Sequence, residues 1–353
     1  MNEENLYQLK VVNRIEQPGD NLTFEFESVG KTFPKYKAGQ FLSLIFHFGE
    51  RELRRSYSFN SSPDCNEALS ITVKRVENGE ISRFLHHDIK IGDIFTAQAP
   101  QGLFTYEPQP ELYRTVFLFA AGVGITPLFS ILKTALVTEK NSKIVLALSN
   151  KSREETLFLK ELEEWQAKYP ERLKIIWIFS NNKNLLKARL SRFYIEDILK
   201  EHLEFDKKEA LFYTCGPVFY MDLCRICLLG MGFASAQIKR ETFVLPEDEA
   251  DDDDTTEKIV DTNTYTIKLH FRNTVYDLEV PYTKRILDVA LENGIKLPYS
   301  CKSGMCSTCT ATCTAGGVRM DYNEVLTDDE VEAGRVLVCT AHPTMNGTVI
   351  TYD

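Results

Sequence analysis

The sequence predicts a multidomain protein that combines a small antiparallel β-barrel, an α/β domain with a parallel sheet, and a compact β-grasp module. Three features predict this fold class: short apolar strands near the N-terminus, a strand–glycine loop–helix unit in the middle, and a cysteine-rich loop near the C-terminus. We expect the barrel at residues 1–107, the α/β domain at 108–244, an acidic linker at 245–263 and the β-grasp domain at 264–353.

Bulk properties set the class of protein. The chain has 353 residues, of which 43% are hydrophobic and 11% aromatic, so it is long enough for several globular domains. The opening stretch MNEENLYQLK has neither the basic nor the apolar region of a secretory signal. No run approaches the roughly 18 apolar residues of a membrane span. We therefore expect a cytoplasmic protein without a membrane span, in which clustered cysteines indicate a metal site or catalysis more often than disulfides.

Negative charge is concentrated ahead of the cysteine-rich region. The formal net charge is −10, and the stretch EDEADDDDTTEKIVD at 247–261 holds nine acidic residues and one lysine. Such a run repels itself and buries no apolar surface, which is typical of an extended linker. The alternative is a solvated loop that only joins two domains. No basic patch indicates nucleic-acid binding.

The N-terminal region reads as β-structure. The stretches LTFEFESV, FLSLIFHF, RRSYSFN and LSITVKRV are apolar or alternate, and turn residues separate them, which favours a small antiparallel barrel. Arg55 and Tyr57 lie two apart on one strand and therefore face the same side. A cation beside an aromatic ring suits a ligand with a flat ring and a phosphate tail. The alternative is that both residues are surface side chains without a role in binding.

A possible anion site follows the barrel strands. The stretch NGEISRFL at 78–85 reads as a turn that opens a helix, with Ser82 near the helix N-terminus. Free backbone N–H groups at such a position can hold a pyrophosphate. Taken alone, this segment is a weak signal.

The pattern changes after Pro110 to a buried strand, a glycine loop and a helix. Gly122 and Gly124 permit a tight turn and close backbone approach, as in a Rossmann-type phosphate cradle, although the third glycine of that motif is missing. The later strands KIVLALSN, LKIIWIFS and ALFYTCGP alternate with helical stretches and predict a parallel sheet. Cys224 and Cys227 form a C-x-x-C pair, which we interpret as buried core cysteines rather than a redox motif.

The C-terminal cysteines have the spacing of an iron–sulfur site. Cys301-x4-Cys306-x2-Cys309, followed by Cys339 after a long gap, is the plant-type 2Fe–2S pattern. Zinc is the structural alternative, but zinc sites usually contain two C-x2-C pairs or histidine. A Rieske centre would need a Cys-x-His motif, which the sequence lacks. Cys313 falls outside the spacing and is expected to be a bystander.

Taken together, the motifs resemble a known family along nearly the whole chain. The chain resembles the ferredoxin-NADP reductase superfamily, in the fusions that carry a C-terminal plant-type ferredoxin. Within it, the chain resembles the reductase components of phenylacetyl-coenzyme A epoxidases. The motifs occur in the family's order, namely RRSYS, GEIS, AAGVGITP, YTCGP, CKSGMCSTC and DDEVEAGRVLVC. The resemblance implies FAD in the barrel, a nicotinamide nucleotide in the α/β domain and a 2Fe–2S cluster in the last domain.

The resemblance also implies roles for individual residues of the barrel. Arg55 would hold the FAD pyrophosphate, Tyr57 would stack on the flavin, and Ser58 would hydrogen-bond the reactive edge of the flavin. Ile81 and Ser82 would cap the pyrophosphate.

In the α/β domain the resemblance implies a cradle for the nicotinamide nucleotide at Gly122, Gly124 and Thr126. Cys215 and Gly216 would lie beside the nicotinamide ring, so the expected catalytic residues are Tyr57, Ser58 and Cys215. In the last domain the implied cluster ligands are Cys301, Cys306, Cys309 and Cys339.

These parts predict an electron-transfer enzyme. Electrons would pass from NAD(P)H to FAD, then to the cluster, and finally to an oxygenase or another electron-accepting protein, with phenylacetyl-coenzyme A epoxidase as a candidate. One alternative is a free-standing reductase that acts on diffusible acceptors. A second alternative, from a different class, is a non-enzymatic redox sensor or a zinc-braced scaffold.

The nucleotide preference is predicted from the loop after the second parallel strand. An acidic residue there favours the bare 2′-hydroxyl of NADH, and a basic residue favours the phosphate of NADPH. The stretch SNKSREE places Lys151, Ser152 and Arg153 at this point. We expect NADPH as the preferred donor, with NADH as the alternative donor and a solvated loop as the alternative interpretation.

Overall fold

The computed structural model describes residues 6–49, 51–243 and 262–352. The described residues up to Phe243 form one compact unit, and those from 262 onward belong to a second. The acidic linker was predicted at 245–263, and its residues 245–261 lie outside the described residues. Within the described ranges, no helix combines the length and apolar character needed to cross a membrane.

The N-terminal domain is a six-stranded antiparallel barrel. Its elements are β1 (Leu6–Gln17), β2 (Asn21–Val29), β3 (Phe41–Phe48), β4 (Arg51–Ser58), β5 (Leu69–Lys74), α1 (Glu80–His87) and β6 (Ile94–Gln98). The strand order is β4-β3-β6-β1-β2-β5. A bridge between Phe59 and Ile71 joins the two ends of this order, which confirms the predicted barrel.

Two strands of the barrel were not identified individually from the sequence. Strand β1 lies between β6 and β2, yet its pairing register shifts between Val11 and Asn13, which interrupts the apolar alternation. Strand β6 has five residues, and the first of them, Ile94, is exposed. Both strands depend on their neighbours for burial, so their own sequences carry a weak signal.

The second domain is the predicted parallel sheet with helices. Its elements are β7 (Thr115–Ala121), α2 (Ile125–Thr138), β8 (Lys143–Asn150), α3 (Leu159–Lys168), β9 (Leu173–Phe179), α4 (Leu185–Ala188), α5 (Arg192–His202), β10 (Leu211–Cys215), α6 (Val218–Gly230) and β11 (Ile238–Glu241). The strand order is β11-β10-β7-β8-β9, and every neighbouring pair is parallel. Cys224 and Cys227 are buried in the helical layer beside this sheet, as expected of core cysteines.

Polar contacts through α2 join the barrel to the parallel sheet. The Ser130 hydroxyl donates a hydrogen bond to the Ser61 carbonyl oxygen at 2.6 Å. The Lys133 ammonium lies 2.5 Å from a carboxylate oxygen of Glu67, and the lysine side chain is only 4% exposed. Because a buried charge without a partner is costly, this pair fixes the loop after β4 against α2.

The C-terminal domain has the predicted β-grasp arrangement. Its elements are β12 (Thr264–Phe271), β13 (Thr274–Pro281), α7 (Ile286–Glu292), β14 (Thr310–Ala315), β15 (Val318–Met320), α8 (Asp328–Glu332), β16 (Arg335–Leu337), β17 (Ala341–Pro343) and β18 (Thr348–Thr351). The main sheet has the order β13-β12-β18-β14-β16, in which β12 and β18 are parallel. Arg272 and Asn273 both have left-handed φ angles, which form the tight turn of the predicted hairpin. The cysteine loop lies between α7 and β14.

Candidate functional site

Three polar side chains meet where the barrel contacts the parallel sheet. Cys215 ends β10, Glu241 ends β11, and these two residues lie opposite each other in the parallel pair. Ser58 ends β4 of the barrel, and its hydroxyl donates a hydrogen bond to Oε2 of Glu241 at 3.1 Å. All three residues are buried. Ligands of open α/β sheets bind at the carboxyl ends of strands, so this cluster lies where a nucleotide site is expected.

Burial keeps this cluster uncharged. Removal from water raises the pKa of Glu241 to about 8, although the hydrogen bond from Ser58 acts in the opposite direction. Burial, and secondarily the Glu241 carboxyl, raises the pKa of the Cys215 thiol well above its ordinary value. At neutral pH the site therefore holds a protonated carboxyl and a neutral thiol, and neither group is poised as a nucleophile.

The two positions of the Gly-x-Gly loop are occupied by glycine for different structural reasons. Gly122 has a φ of +54°, and a side chain there would meet nothing within 4 Å. A Cβ atom on Gly124 would lie 2.2 Å from the carbonyl oxygen of Cys215. Gly124 is thus required for the close approach between the loop after β7 and the end of β10.

The other predicted nucleotide residues lie at the same sheet edge. The Thr126 hydroxyl donates to the Val123 carbonyl oxygen at 3.0 Å, so the side chain stabilises the first turn of α2. A Cβ atom on Gly216 would lie 2.9 Å from Cβ of Ala121, which follows from the close packing of the two loops. The structure therefore brings the predicted cradle residues and Cys215 together.

On the barrel, Arg55 and Tyr57 lie on β4 two residues apart. Arg55 is exposed, and its guanidinium donates to the Arg54 carbonyl oxygen at 2.8 Å. Tyr57 packs against the barrel core. Burial raises the pKa of Tyr57, and the nearby charge of Arg55 partly lowers it. The structure therefore places a cation and an aromatic ring two residues apart on one strand, and their roles toward a ligand stay a prediction.

Ile81 and Ser82 occupy the first turn of α1. Ile81 is buried in the barrel core. The Ser82 hydroxyl accepts a hydrogen bond from the Val76 backbone N–H at 3.0 Å. Both side chains are engaged within the fold, so these residues offer a ligand their backbone N–H groups at the helix start.

Lys151, Ser152 and Arg153 form a loop whose charges have acidic neighbours. The Lys151 ammonium lies 3.3 Å from the Glu155 carboxylate, and Arg153 forms an ion pair with Glu163. The side chain of Ser152 hydrogen-bonds Glu154 and lowers the pKa of that carboxyl. The basic character on which the NADPH prediction rests is therefore partly offset.

Sequence reasoning missed Glu241 and Asn150. Strand β11 reads IKRE and has only four residues, so it carries no apolar alternation that could have marked Glu241. Asn150 ends β8, and its Nδ2 atom is buried without a hydrogen-bond partner within the described residues. The position of Asn150 at the carboxyl end of a predicted parallel strand was a signal that could have been used.

In the C-terminal domain, the cysteine loop gathers four thiols. The backbone N–H of Cys301 donates to Sγ of Cys306 at 3.4 Å, and the backbone N–H of Val338, next to Cys339, donates to the Cys309 carbonyl oxygen at 3.3 Å. Cys313 lies on β14, and its thiol donates to the Ala315 carbonyl oxygen at 3.4 Å. The four thiols with the 2Fe–2S spacing thus converge.

Backbone N–H groups of the same loop point at these sulfur atoms. The N–H groups of Ser303 and Met305 donate to Sγ of Cys301 at 3.3 and 3.4 Å, and that of Gly304 donates to Sγ of Cys339 at 3.3 Å. A Cβ atom on Gly304 would lie 2.6 Å from the Tyr322 carbonyl oxygen, so the loop needs glycine there. Hydrogen bonds to thiolate sulfur orient the ligands of iron–sulfur clusters and tune their reduction potentials, and the residues fit this group.

Within the described ranges, no group of three or more His, Cys, Asp or Glu side chains is arranged to hold a single metal ion. A 2Fe–2S cluster makes a different demand, because its four thiolates are shared between two irons.

Comparison with known proteins identifies the class. Three family profiles match: an oxidoreductase FAD-binding domain at residues 8–106, an oxidoreductase NAD-binding domain at 118–225, and a 2Fe-2S iron-sulfur cluster binding domain at 272–344. Together with the fold, these matches define an oxidoreductase with FAD, a nicotinamide nucleotide and a 2Fe–2S cluster as its cofactors.

Curated relatives identify the family. One of the subunits of 1,2-phenylacetyl-CoA epoxidase from Escherichia coli (strain K12) is 33% identical over 325 residues, which cover 90% of this chain and 89% of that protein. The ferredoxin reductase component of 3-ketosteroid-9-alpha-monooxygenase from Rhodococcus rhodochrous is 31% identical over 87% of this chain and 85% of that protein. The chain belongs to this family of flavin and 2Fe–2S reductases. The expected resemblance is thereby confirmed.

Solved structures agree with the fold. Phthalate dioxygenase reductase has a TM-score of 0.60 and 24% identity, and the match covers 99% of both chains. That protein is described as a modular structure for electron transfer from pyridine nucleotides to a 2Fe–2S centre. This likeness confirms the predicted three-domain fold class.

The raised pKa of Glu241 predicts a pH-dependent stability. The folded state holds the proton up to about pH 8, whereas the unfolded chain releases it near the ordinary glutamate value of 4.5. The unfolded state therefore binds fewer protons in this window, and the wild type loses stability as pH rises through it. Glu241→Gln removes this loss. The free energy of unfolding of the variant, relative to that of the wild type, should therefore increase by up to about 1.4 kcal/mol per pH unit between about pH 5 and 8.

Urea unfolding of the holoprotein at pH 5, 6, 7, 8 and 9, followed by flavin fluorescence, measures this difference. Glu16→Gln is the matched control, because the Glu16 side chain is 74% exposed and its substitution should leave the pH dependence unchanged. A gap between Glu241→Gln and the wild type that stays constant with pH would contradict the raised pKa.

Proposed function

We propose that this protein takes electrons from a reduced nicotinamide nucleotide and delivers them through FAD and a 2Fe–2S cluster to an oxygenase. The contact between Ser58 and Glu241 is the observation that carries this proposal. It joins the domain that resembles FAD-binding domains to the domain that resembles NAD-binding domains, at the carboxyl ends of β10 and β11. Both cofactors can therefore approach one buried site within one compact unit.

The barrel would hold FAD through residues of β4 and α1. Arg55 supplies an exposed cation for the pyrophosphate, and Tyr57 supplies a partly buried ring for the flavin. Ser58 would lie beside the reactive edge of the flavin. The backbone N–H groups of Ile81 and Ser82 would complete the anion site.

The sheet edge would hold the nicotinamide nucleotide. Gly122, Gly124 and Thr126 lie at the start of α2, where free N–H groups favour a phosphate. Cys215 and Gly216 would lie beside the nicotinamide, with the buried amide of Asn150 available to the nucleotide.

Chemistry at this site would need no nucleophilic side chain. When bound, the flavin supplies two-electron chemistry and the cluster supplies one-electron transfer. Glu241 would hold a proton at its carboxyl, and Ser58 would orient that carboxyl through its hydrogen bond. Burial of Cys215 and Glu241 would exclude water from the reacting atoms.

We propose Cys301, Cys306, Cys309 and Cys339 as the cluster ligands. Support comes from their convergence and from the backbone N–H groups that point at their sulfur atoms. Cys313 would remain a free thiol.

An oxygenase is proposed as the electron acceptor because the relatives are parts of an epoxidase and of a monooxygenase. Phenylacetyl-CoA epoxidase is the first candidate partner, which would place the protein in phenylacetate degradation. All nine cysteines are free of disulfides, which supports a cytoplasmic location.

Replacement of one proposed ligand should separate the two halves of the electron path. Cys339→Ala should lose cluster iron and cluster absorbance, because three thiolates cannot complete the site. Flavin reduction by NADPH should remain near the wild-type rate, while electron delivery to a one-electron acceptor protein should fall at least about tenfold. Stopped-flow absorbance and iron analysis measure these effects.

Cys313→Ala is the matched control, since it removes a thiol from the strand that follows the same loop. It should retain iron, absorbance and electron delivery. Full cluster content in Cys339→Ala would refute the ligand set. Loss of flavin reduction in the same variant would refute the separation of the two sites.

The preference for NADPH stays a prediction that rests on Arg153. Arg153→Ala should raise KM for NADPH several-fold and leave KM for NADH nearly unchanged, because only NADPH carries the 2′-phosphate. Glu163→Ala is the matched comparison, since it frees Arg153 from its ion pair and should favour NADPH. Equal effects of Arg153→Ala on both donors would show that the loop does not recognise the phosphate.

A further inference from the structure

The cysteine loop contains a buried hydroxyl that has no hydrogen-bond partner. The Oγ atom of Ser303 is buried and makes no hydrogen bond within the described residues. A buried hydroxyl without a partner is unfavourable, so such a group needs an explanation. A ligand atom is one explanation.

The backbone places this hydroxyl beside the thiols. Ser303 donates its own N–H to Sγ of Cys301 at 3.3 Å. The neighbours Lys302 and Gly304 both have left-handed φ angles, so the chain curls around this point. Lys302 is exposed, with its ammonium 4.8 Å from the ring of Tyr299, whereas Ser303 Oγ is buried.

Other hydroxyls of the loop are already engaged. The Ser307 hydroxyl donates to the Cys306 carbonyl oxygen at 2.7 Å, and the Thr310 hydroxyl donates to the Ser307 carbonyl oxygen at 2.6 Å. These two hydroxyls stabilise the turn of the loop. The Ser303 hydroxyl makes no such hydrogen bond within the described residues.

We propose that the Ser303 hydroxyl donates a hydrogen bond to a sulfur atom of the 2Fe–2S cluster and thereby raises the reduction potential of the cluster. This inference rests on the ligand set proposed above. A donor to sulfur stabilises the reduced cluster more than the oxidised cluster, because the added electron increases the negative charge on the sulfur atoms. Ser303 thus tunes how readily the cluster accepts an electron from the flavin.

The test is a potentiometric titration of the full-length holoprotein, followed by the EPR signal of the reduced cluster. Ser303→Ala should lower the equilibrium constant for cluster reduction by about tenfold, which corresponds to about 59 mV for one electron. Ser307→Ala is the matched control, because it removes a hydroxyl from the same loop whose bond goes to a carbonyl group. Its potential should stay close to that of the wild type.

A second pair of variants separates the hydroxyl from the shape of the side chain. Ser303→Thr keeps the hydroxyl, and Ser303→Val has nearly the shape of threonine without it. We expect Ser303→Thr to resemble the wild type and Ser303→Val to resemble Ser303→Ala. These two variants test the role of the hydroxyl even if Ser303→Ala purifies without its cluster.

Equal potentials in the wild type and Ser303→Ala, with an intact cluster spectrum, would overturn the role of Ser303. Equal potentials in Ser303→Thr and Ser303→Val would overturn it as well. Iron content and the EPR spectrum of the wild type are measured first. A wild type without a 2Fe–2S signal would overturn the proposed function together with this inference, whereas an unchanged potential would overturn this inference alone.

Discussion

The proposed hydride-transfer site depends on the close approach of the glycine loop after β7 to the end of β10. At Gly124 no Cβ atom would fit, because it would lie 2.2 Å from the Cys215 carbonyl oxygen. This approach places the start of α2 beside the ends of the parallel strands, so a phosphate site and a buried thiol share one edge of the sheet. Glu241, on the neighbouring strand, is buried at the same edge and is therefore kept protonated at neutral pH.

Polar contacts with α2 hold the barrel beside this site. The buried pair of Lys133 and Glu67, together with the hydrogen bond from Ser130 to the Ser61 carbonyl oxygen, fixes the chain that leaves β4. Ser58 ends that strand, and its hydroxyl donates a hydrogen bond to Glu241. Two domains with separate cores thus contribute to one uncharged site. If the nicotinamide and the flavin bind here as proposed, burial of this site would exclude water from their reacting atoms.

Residues with a fixed spacing were predictable from the sequence, and isolated residues were not. The four cysteines and the Gly-x-Gly loop follow patterns that backbone geometry dictates, so their positions in the fold could be expected. Glu241 lies in a four-residue strand whose sequence has no alternation, and only the pairing with β10 makes it part of the site. The Ser303 hydroxyl is buried without a hydrogen-bond partner within the described residues because of the conformation of the cysteine loop. The spacing of the cysteines does not predict that conformation. Strand β1 was missed because a register shift interrupts its pattern.

Burial should hold a proton on the Glu241 carboxyl in the proposed hydride-transfer site. Infrared difference spectroscopy of the holoprotein, titrated from pH 5 to pH 10, observes the carbonyl stretch of a protonated carboxyl directly. We expect a carboxyl band that disappears with a midpoint near pH 8 in the wild type and is missing in Glu241→Gln. Identical spectra for the two proteins above pH 6 would show instead that Glu241 is ionised at neutral pH and that the site carries a negative charge.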